Sequence, residues 1–220
     1  MKEYNDYLFD LDGTLLNTLD DLHLAVNHAL RTQHMQEQTI EETRRFVGNG
    51  VRMLMIRSVP GGVENPAFEA AFRNFKDYYK VHATDHTRPY DGIAAVLTEL
   101  KRRGKHISVV SNKMHAVTTE LCRHYFGDTI DVSIGENEEE GIRKKPAPDT
   151  LLEALRQTGG KAESAVYVGD SEVDIATARN AAVPCISVLW GFRSREFLIS
   201  NGAACMITHP SELLLFEEKH

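Results

Sequence analysis

The order of apolar and polar positions along the chain changes rhythm twice. Tyr7-Leu8-Phe9 is a short unbroken apolar run, as a strand buried on both faces requires, and it leads into the polar segment Asp10-Leu11-Asp12-Gly13-Thr14. Helical spacing follows. Leu19, Leu22, Val26 and Leu30 share one face, opened by Thr18 with Asp21 three residues later in the manner of a capping box. Thr39 with Glu42 repeats that signal for a second helix, which stops at Gly48-Asn49-Gly50. Met53, Leu54 and Ile56 mark a third helix. After the break at Pro60-Gly61-Gly62, Pro66 opens a fourth along Phe68, Phe72, Phe75 and Tyr79. No segment between residues 16 and 87 carries the pattern of a strand.

From Pro89 onward short apolar runs and helical stretches take turns. Ile93, Val96, Leu97 and Leu100 mark a helix closed by Gly104, and Ile107-Ser108-Val109-Val110-Ser111 reads as a strand. Helix over 115–125, strand over 132–134, helix over 149–157, strand over 165–168, helix over 172–181 and strand over 185–189 complete the series. Strands separated by helices of this length predict βαβ units in a parallel sheet. The expected fold is α/β: a doubly wound, Rossmann-like core of residues 1–15 and 88–220, with an all-helical cap domain of residues 16–87 inserted into it.

Composition narrows the class. The chain has 220 residues, 42% hydrophobic and 26% charged, which is ordinary for a globular protein and unlike a disordered or fibrous one. No run approaches the ~20 apolar residues of a membrane span. The opening Met1-Lys2-Glu3-Tyr4-Asn5-Asp6 lacks the pattern of a signal peptide. Cys122, Cys185 and Cys205 are odd in number and widely spaced, so reduced thiols and a cytoplasmic location are expected. A net charge of −7 argues against nucleic acid as a partner but not against a small anion, because a metal ion and a few cations can reverse the field inside a cleft.

In an open parallel sheet, ligands bind beyond the carboxyl ends of the strands. Asp10 and Asp12, Ser111 and Asn112, Lys145, and Asp170 and Asp174 all fall at or near such ends, so chain order predicts that they converge. Taken singly, each has a plainer reading. Ser111 begins a turn, Lys145 extends the solvated run Arg143-Lys144, and Asp170 and Asp174 open a helix. Taken together, several carboxylates with one lysine suit a hard divalent cation, Mg²⁺ above all, and a phosphate.

Four segments carry a family resemblance. Phe9-Asp10-Leu11-Asp12-Gly13-Thr14-Leu15, Ser111-Asn112-Lys113, Lys145-Pro146-Ala147-Pro148-Asp149 and Gly169-Asp170-Ser171-Glu172-Val173-Asp174 resemble, in order, the four motifs of the haloacid dehalogenase-like phosphohydrolases. Asn17-Thr18-Leu19-Asp20-Asp21-Leu22 and Phe46-Val47-Gly48-Asn49-Gly50-Val51-Arg52 are most similar to phosphoglycolate phosphatases. The resemblance implies that Asp10 is a nucleophile forming an aspartyl-phosphate and that Asp12 is the general acid and base. It further implies Mg²⁺ held by Asp10, the backbone carbonyl of Asp12 and Asp170, with Asp174 acting behind them, and a phosphate bound by Ser111, Asn112 and Lys145. Gly48, Asn49, Gly50 and Arg52 of the cap are the expected specificity segment, with Arg52 offering a fork to a substrate carboxylate.

The implied activity is Mg²⁺-dependent hydrolysis of a small phosphorylated metabolite such as 2-phosphoglycolate, with no membrane partner. Rival readings are a pyrophosphatase, a nucleotidase or a sugar-phosphate mutase of the same superfamily, and a regulator that binds a phosphorylated ligand without turning it over. The intact set Asp10, Asp12, Lys145 and Asp170 speaks against the last, since a binder need not keep a nucleophile.

Overall fold

A computed structural model describes residues 4–136 and 141–217. Its contacts divide the chain into two compact units, one of residues 1–16 and 89–220 and one of residues 17–88.

The larger unit begins with β1 (Asp6–Phe9), and the chain leaves it along β2 (Leu16–Asn17). The smaller unit holds α1 (Leu19–Thr32), α2 (Ile40–Phe46), α3 (Val51–Ser58) and α4 (Phe68–His82). The chain returns along β3 (Arg88–Pro89), which pairs with β2 as a separate two-stranded sheet. Then follow α5 (Ile93–Arg102), β4 (His106–Met114), α6 (His115–Phe126), β5 (Val132–Glu136) and α7 (Asp149–Thr158). The remainder is β6 (Ala165–Gly169), α8 (Glu172–Asn180), β7 (Cys185–Val188), α9 (Arg195–Ser200) and β8 (Met206–Ile207). β7 is the strand expected at 185–189, α9 and β8 lie beyond it, and β2 puts a two-residue strand where only helices were expected.

Six strands form one sheet in the order β5-β4-β1-β6-β7-β8, every pair parallel. This is the doubly wound α/β core expected from the alternation. β1 is interior, with Phe9 opposite Val109 of β4 and Val168 of β6, and all four of its residues are buried. Burial on both faces is why it reads as a continuous apolar run rather than an alternating one. Leu8, Val110, Ile134 and Tyr167 from four strands pack with Leu151, Ala154 and Leu155 of α7 and Ala178 of α8 in one cluster. Leu151 is wholly buried there, so truncating it to alanine would cost about 2–5 kcal/mol.

In the smaller unit, Leu22, Val26 and Leu30 of α1 and Phe68, Phe75 and Tyr79 of α4 are buried, and the two helices pack together. The capping box at Thr39 is formed: its hydroxyl accepts from Glu42 N, and Glu42 Oε2 accepts from Thr39 N at 2.7 Å. The one expected at Thr18 is absent. Asp21 instead accepts from the backbone N–H groups of His86 and Thr87 and from the Thr87 hydroxyl, so it ties the start of α1 to the end of the unit. Among the described residues, no helix is long and apolar enough to cross a membrane. Most of the acidic run Glu136-Asn137-Glu138-Glu139-Glu140, which reads as a solvated loop, lies outside the described residues.

Candidate active site

Four segments of the larger unit meet where their strands end. Past β1, Asp10 N still donates to Val168 O at 2.9 Å, and the chain then turns sharply, with Leu11 O accepting from Thr14, Leu15 and Leu16. Gly13 sits in that turn at φ +82°, and a Cβ there would lie 2.4 Å from Asp170 Oδ2. Only glycine lets this turn reach the end of β6 so closely. Neighbouring β4 bulges: Val110 and Met114 face Ile134 and Glu136 of β5, so Ser111, Asn112 and Lys113 leave the regular register. A bulge of this kind re-aims side chains at a sheet edge.

Lys145 stands at the centre. Its side chain is 1% exposed, and Nζ lies 2.9 Å from Asp10 Oδ1, 2.7 Å from Asp174 Oδ1 and 2.9 Å from the Tyr167 hydroxyl. Its backbone is held by Asn112, whose Oδ1 accepts from Lys145 N at 2.8 Å and whose Nδ2 donates to Lys145 O at 2.9 Å. Ser111 Oγ accepts from Lys113 N at 3.3 Å. Lys113 Nζ in turn lies 2.8 and 2.9 Å from the two oxygens of Asp12.

Asp174 joins the cluster from the first turn of α8. Its Oδ1 faces Lys145 and Tyr167, while Oδ2 accepts from Ser171 Oγ at 2.6 Å and from Ser171 N at 3.1 Å, completing a capping box. Asp170 Oδ2 accepts from Phe192 N at 2.6 Å. The loop after β7 is thus part of the site. Trp190 Nε1 donates to Thr14 O at 3.0 Å, and a Cβ on Gly191 would come within 2.5 Å of both Asp170 Oδ2 and Gly13 O. Sequence reasoning passed over Trp190, Gly191 and Phe192; the available signal was a glycine flanked by aromatics at the carboxyl end of a strand.

One oxygen each from Asp10, Asp170 and Asp174 lies within 4.8 Å of the others. Burial, and then the charge of Asp174, push the Asp10 carboxyl up to about 7 against the pull of Lys145. Burial and the charges of Asp174 and Asp10 likewise raise Asp170 well above the usual carboxylate range. Burial disfavours the Lys145 ammonium, but the carboxylates of Asp10 and Asp174 outweigh it and raise its pKa. Four aspartates (10, 12, 170 and 174) face two lysines (113 and 145), an excess of two negative charges when all are ionised. An oxygen-only, doubly negative cluster fits a hard divalent cation.

The four cap candidates belong to the helical unit. Gly50 precedes α3 at φ +83°, and Asn49 Oδ1 accepts from Arg57 Nη2 at 2.6 Å. Arg52 Nη2 donates to Glu69 Oε1 at 2.6 Å, and its guanidinium lies 5.1 Å from the Phe68 ring centroid and 5.3 Å from that of Phe72. A substrate carboxylate would therefore have to compete with Glu69 for that fork.

Residues 7–188 match the family model for haloacid dehalogenase-like hydrolases. The phosphoglycolate phosphatase of Mesorhizobium japonicum is 30% identical over 192 residues, 86% of this chain and 84% of that one. The N-acetylmuramic acid 6-phosphate phosphatase of Pseudomonas aeruginosa is 30% identical over 217 residues, covering 94% and 92%. Among solved structures, a provisionally named phosphoglycolate phosphatase from Lactobacillus delbrueckii subsp. bulgaricus superposes with a TM-score of 0.90 at 33% identity, over 96% and 97% of the two chains. With its motif order, its parallel sheet and this match over most of its length, the chain belongs to the haloacid dehalogenase-like hydrolases.

Proposed function

We propose that the protein is a Mg²⁺-dependent phosphomonoester hydrolase that works through an aspartyl-phosphate on a small phosphorylated metabolite such as 2-phosphoglycolate. The observation that carries this reading is the division of the two aspartates at the end of β1. Asp10 is held by Lys145 inside the carboxylate cluster, and Asp12 is held apart by Lys113. That division supports a reading in which one carboxylate attacks and the other moves protons.

In the first step an Asp10 oxygen attacks phosphorus and the bond to the leaving oxygen breaks, while Asp12 gives that oxygen a proton. In the second, water attacks the phosphorus of the acyl-phosphate, Asp12 takes the water's proton, and Asp10 is regenerated. Lys145 supplies a fixed positive charge for the phosphoryl oxygens, and Ser111 a hydroxyl. Asn112, with its amide engaged by the backbone of Lys145, keeps that lysine in place. Asp10, the backbone carbonyl of Asp12 and Asp170 are the proposed Mg²⁺ ligands. When bound there, the ion would offset the repulsion between an attacking carboxylate and an anionic phosphate. Asp174, engaged by Lys145 and Ser171, acts through those ligands.

Relatives of equal identity are named for two different phosphate esters, so the substrate is a matter for assay. Phosphate release from 2-phosphoglycolate, a sugar phosphate, a nucleoside monophosphate and pyrophosphate, with Mg²⁺ and with chelator, decides the reading. We expect Mg²⁺-dependent turnover of a monoester by the wild type and none by Asp10→Asn. Binding without release from any of them would return the protein to the regulator class.

A further inference from the structure

The phosphatase reading uses buried Lys113 to set Asp12 apart from Asp10 and gives its charge no further task. Lys113 comes from the bulged end of β4, its side chain has no solvent exposure, and its Nζ bridges both oxygens of Asp12, whose own side chain is 14% exposed. Exposed ion pairs do little for stability, and burying an ammonium costs several kcal/mol before any partner is found. Taking a lysine out of water to reach a carboxylate is thus a costly way to hold a fold together. Its backbone is fixed locally as well, with Lys113 N donating to Ser111 Oγ and Lys113 O accepting from Thr118 Oγ1 at 3.4 Å. The site accordingly gives each aspartate at the end of β1 its own lysine, Lys145 for Asp10 and Lys113 for Asp12.

We propose that Lys113 is a positioning residue for proton transfer: its ammonium grips both oxygens of Asp12 and holds that carboxylate where it serves the leaving oxygen and, later, the attacking water. This rests on the phosphatase reading and deepens it. A carboxylate has about four lone-pair sites, more than the two that one bridging ammonium takes. Asp12 gives its proton to the leaving oxygen as the P–O bond breaks and takes one from water in the next step. Lys113 keeps its own three protons throughout.

The test is the leaving group. An aryl oxide departs with little protonation, whereas an alkoxide needs the acid. Phosphoenzyme formation is followed by rapid quench on methyl phosphate and on 4-nitrophenyl phosphate, in the wild type, Lys113→Met, Lys113→Arg and Asp12→Asn. Lys113→Met is expected to slow the alkyl ester roughly a hundredfold and the aryl ester less than about threefold, the same skew as Asp12→Asn. Lys113→Arg, whose fork also spans two carboxylate oxygens, is expected to recover most of the alkyl rate. Equal losses on both esters, or no loss on either, would overturn the proposal. Should Lys113→Met not fold, Lys113→Gln takes its place with the same expected skew, and failure of both to fold would make Lys113 a structural residue only. A wild type that forms no phosphoenzyme from either ester fails the phosphatase reading itself.

Discussion

The most exposed consequence of the site's electrostatics is that Asp10, the proposed nucleophile, should weaken the metal-free protein. Asp10 has an ordinary carboxyl pKa near 3.8 in the unfolded chain, and burial with the neighbouring Asp174 charge raises it to about 7 in the fold. Between those values the folded state holds more protons than the unfolded one, so stability is fully present below 3.8 and is lost as pH rises through 7. At ~1.4 kcal/mol per pH unit, the interval amounts to ~4 kcal/mol, a large share of the roughly 5–15 kcal/mol that keeps a domain folded. Asp10→Asn removes the titration, although it also weakens the contact with Lys145. The pull of Lys145 on the ionised carboxylate is already contained in the value of about 7, so this cost leaves the direction of the trend unchanged. The informative quantity is therefore the difference in unfolding free energy between variant and wild type, measured by urea denaturation in chelator from about pH 5 to about pH 8. It should move in the variant's favour by a few kcal/mol as pH rises, and saturating Mg²⁺ should restore the wild type at the upper end. A difference that stays flat, or that drifts towards the wild type with rising pH, would refute the reasoning.

Three further outcomes are expected. Gly13→Ala puts a Cβ 2.4 Å from Asp170 Oδ2 at a left-handed φ, so it should fold with about 1–2 kcal/mol of strain and raise the Mg²⁺ needed for half-activation roughly 10–100-fold, read by metal titration of activity. Tyr167→Phe takes an acceptor from the buried ammonium of Lys145 and should destabilise the fold by about 1.5–3 kcal/mol in denaturant titration, with an unchanged m-value. Glu69→Gln releases Arg52 from its exposed ion pair and should leave stability almost unchanged. If Arg52 reads a substrate carboxylate, the same change lowers KM for 2-phosphoglycolate relative to 4-nitrophenyl phosphate, and an unchanged ratio would remove Arg52 from substrate recognition.

The fold was legible because the sheet is buried on both faces. After Asp6, β1 carries no polar residue before Asp10, and β6 runs apolar to Gly169 before Asp170, so apolar runs and their polar terminators stand out together. What stayed hidden were contacts made at a distance in sequence. Tyr167 is one more aromatic in an apolar strand, and nothing local says that its hydroxyl touches Lys145, Asp174 and Val110 O. Lys113 reads as a polar residue at a strand end until the bulge of β4 turns it towards Asp12. Asp21 has the spacing of a cap, yet its carboxylate is drawn off by the N–H groups of His86 and Thr87, beyond any local pattern. The loop at Trp190 matters only because the sheet order sets β7 beside β6.

The capping box of α8 links evolution of this chain to its folding. Asp174 caps the helix through Ser171 and holds Lys145 with its other oxygen, so the fold depends on it whether or not the protein turns over a substrate. Asp10 has the opposite standing: burial and the Asp174 charge outweigh the pull of Lys145 and disfavour its ionised form, which the proposed chemistry needs. In a lineage released from selection for turnover, Asp10 should therefore drift first, towards asparagine or serine, while Asp174 and Ser171 persist. An inactive descendant would still carry the signature of the fourth motif, which makes that motif a poor witness to activity and the residue at position 10 a good one.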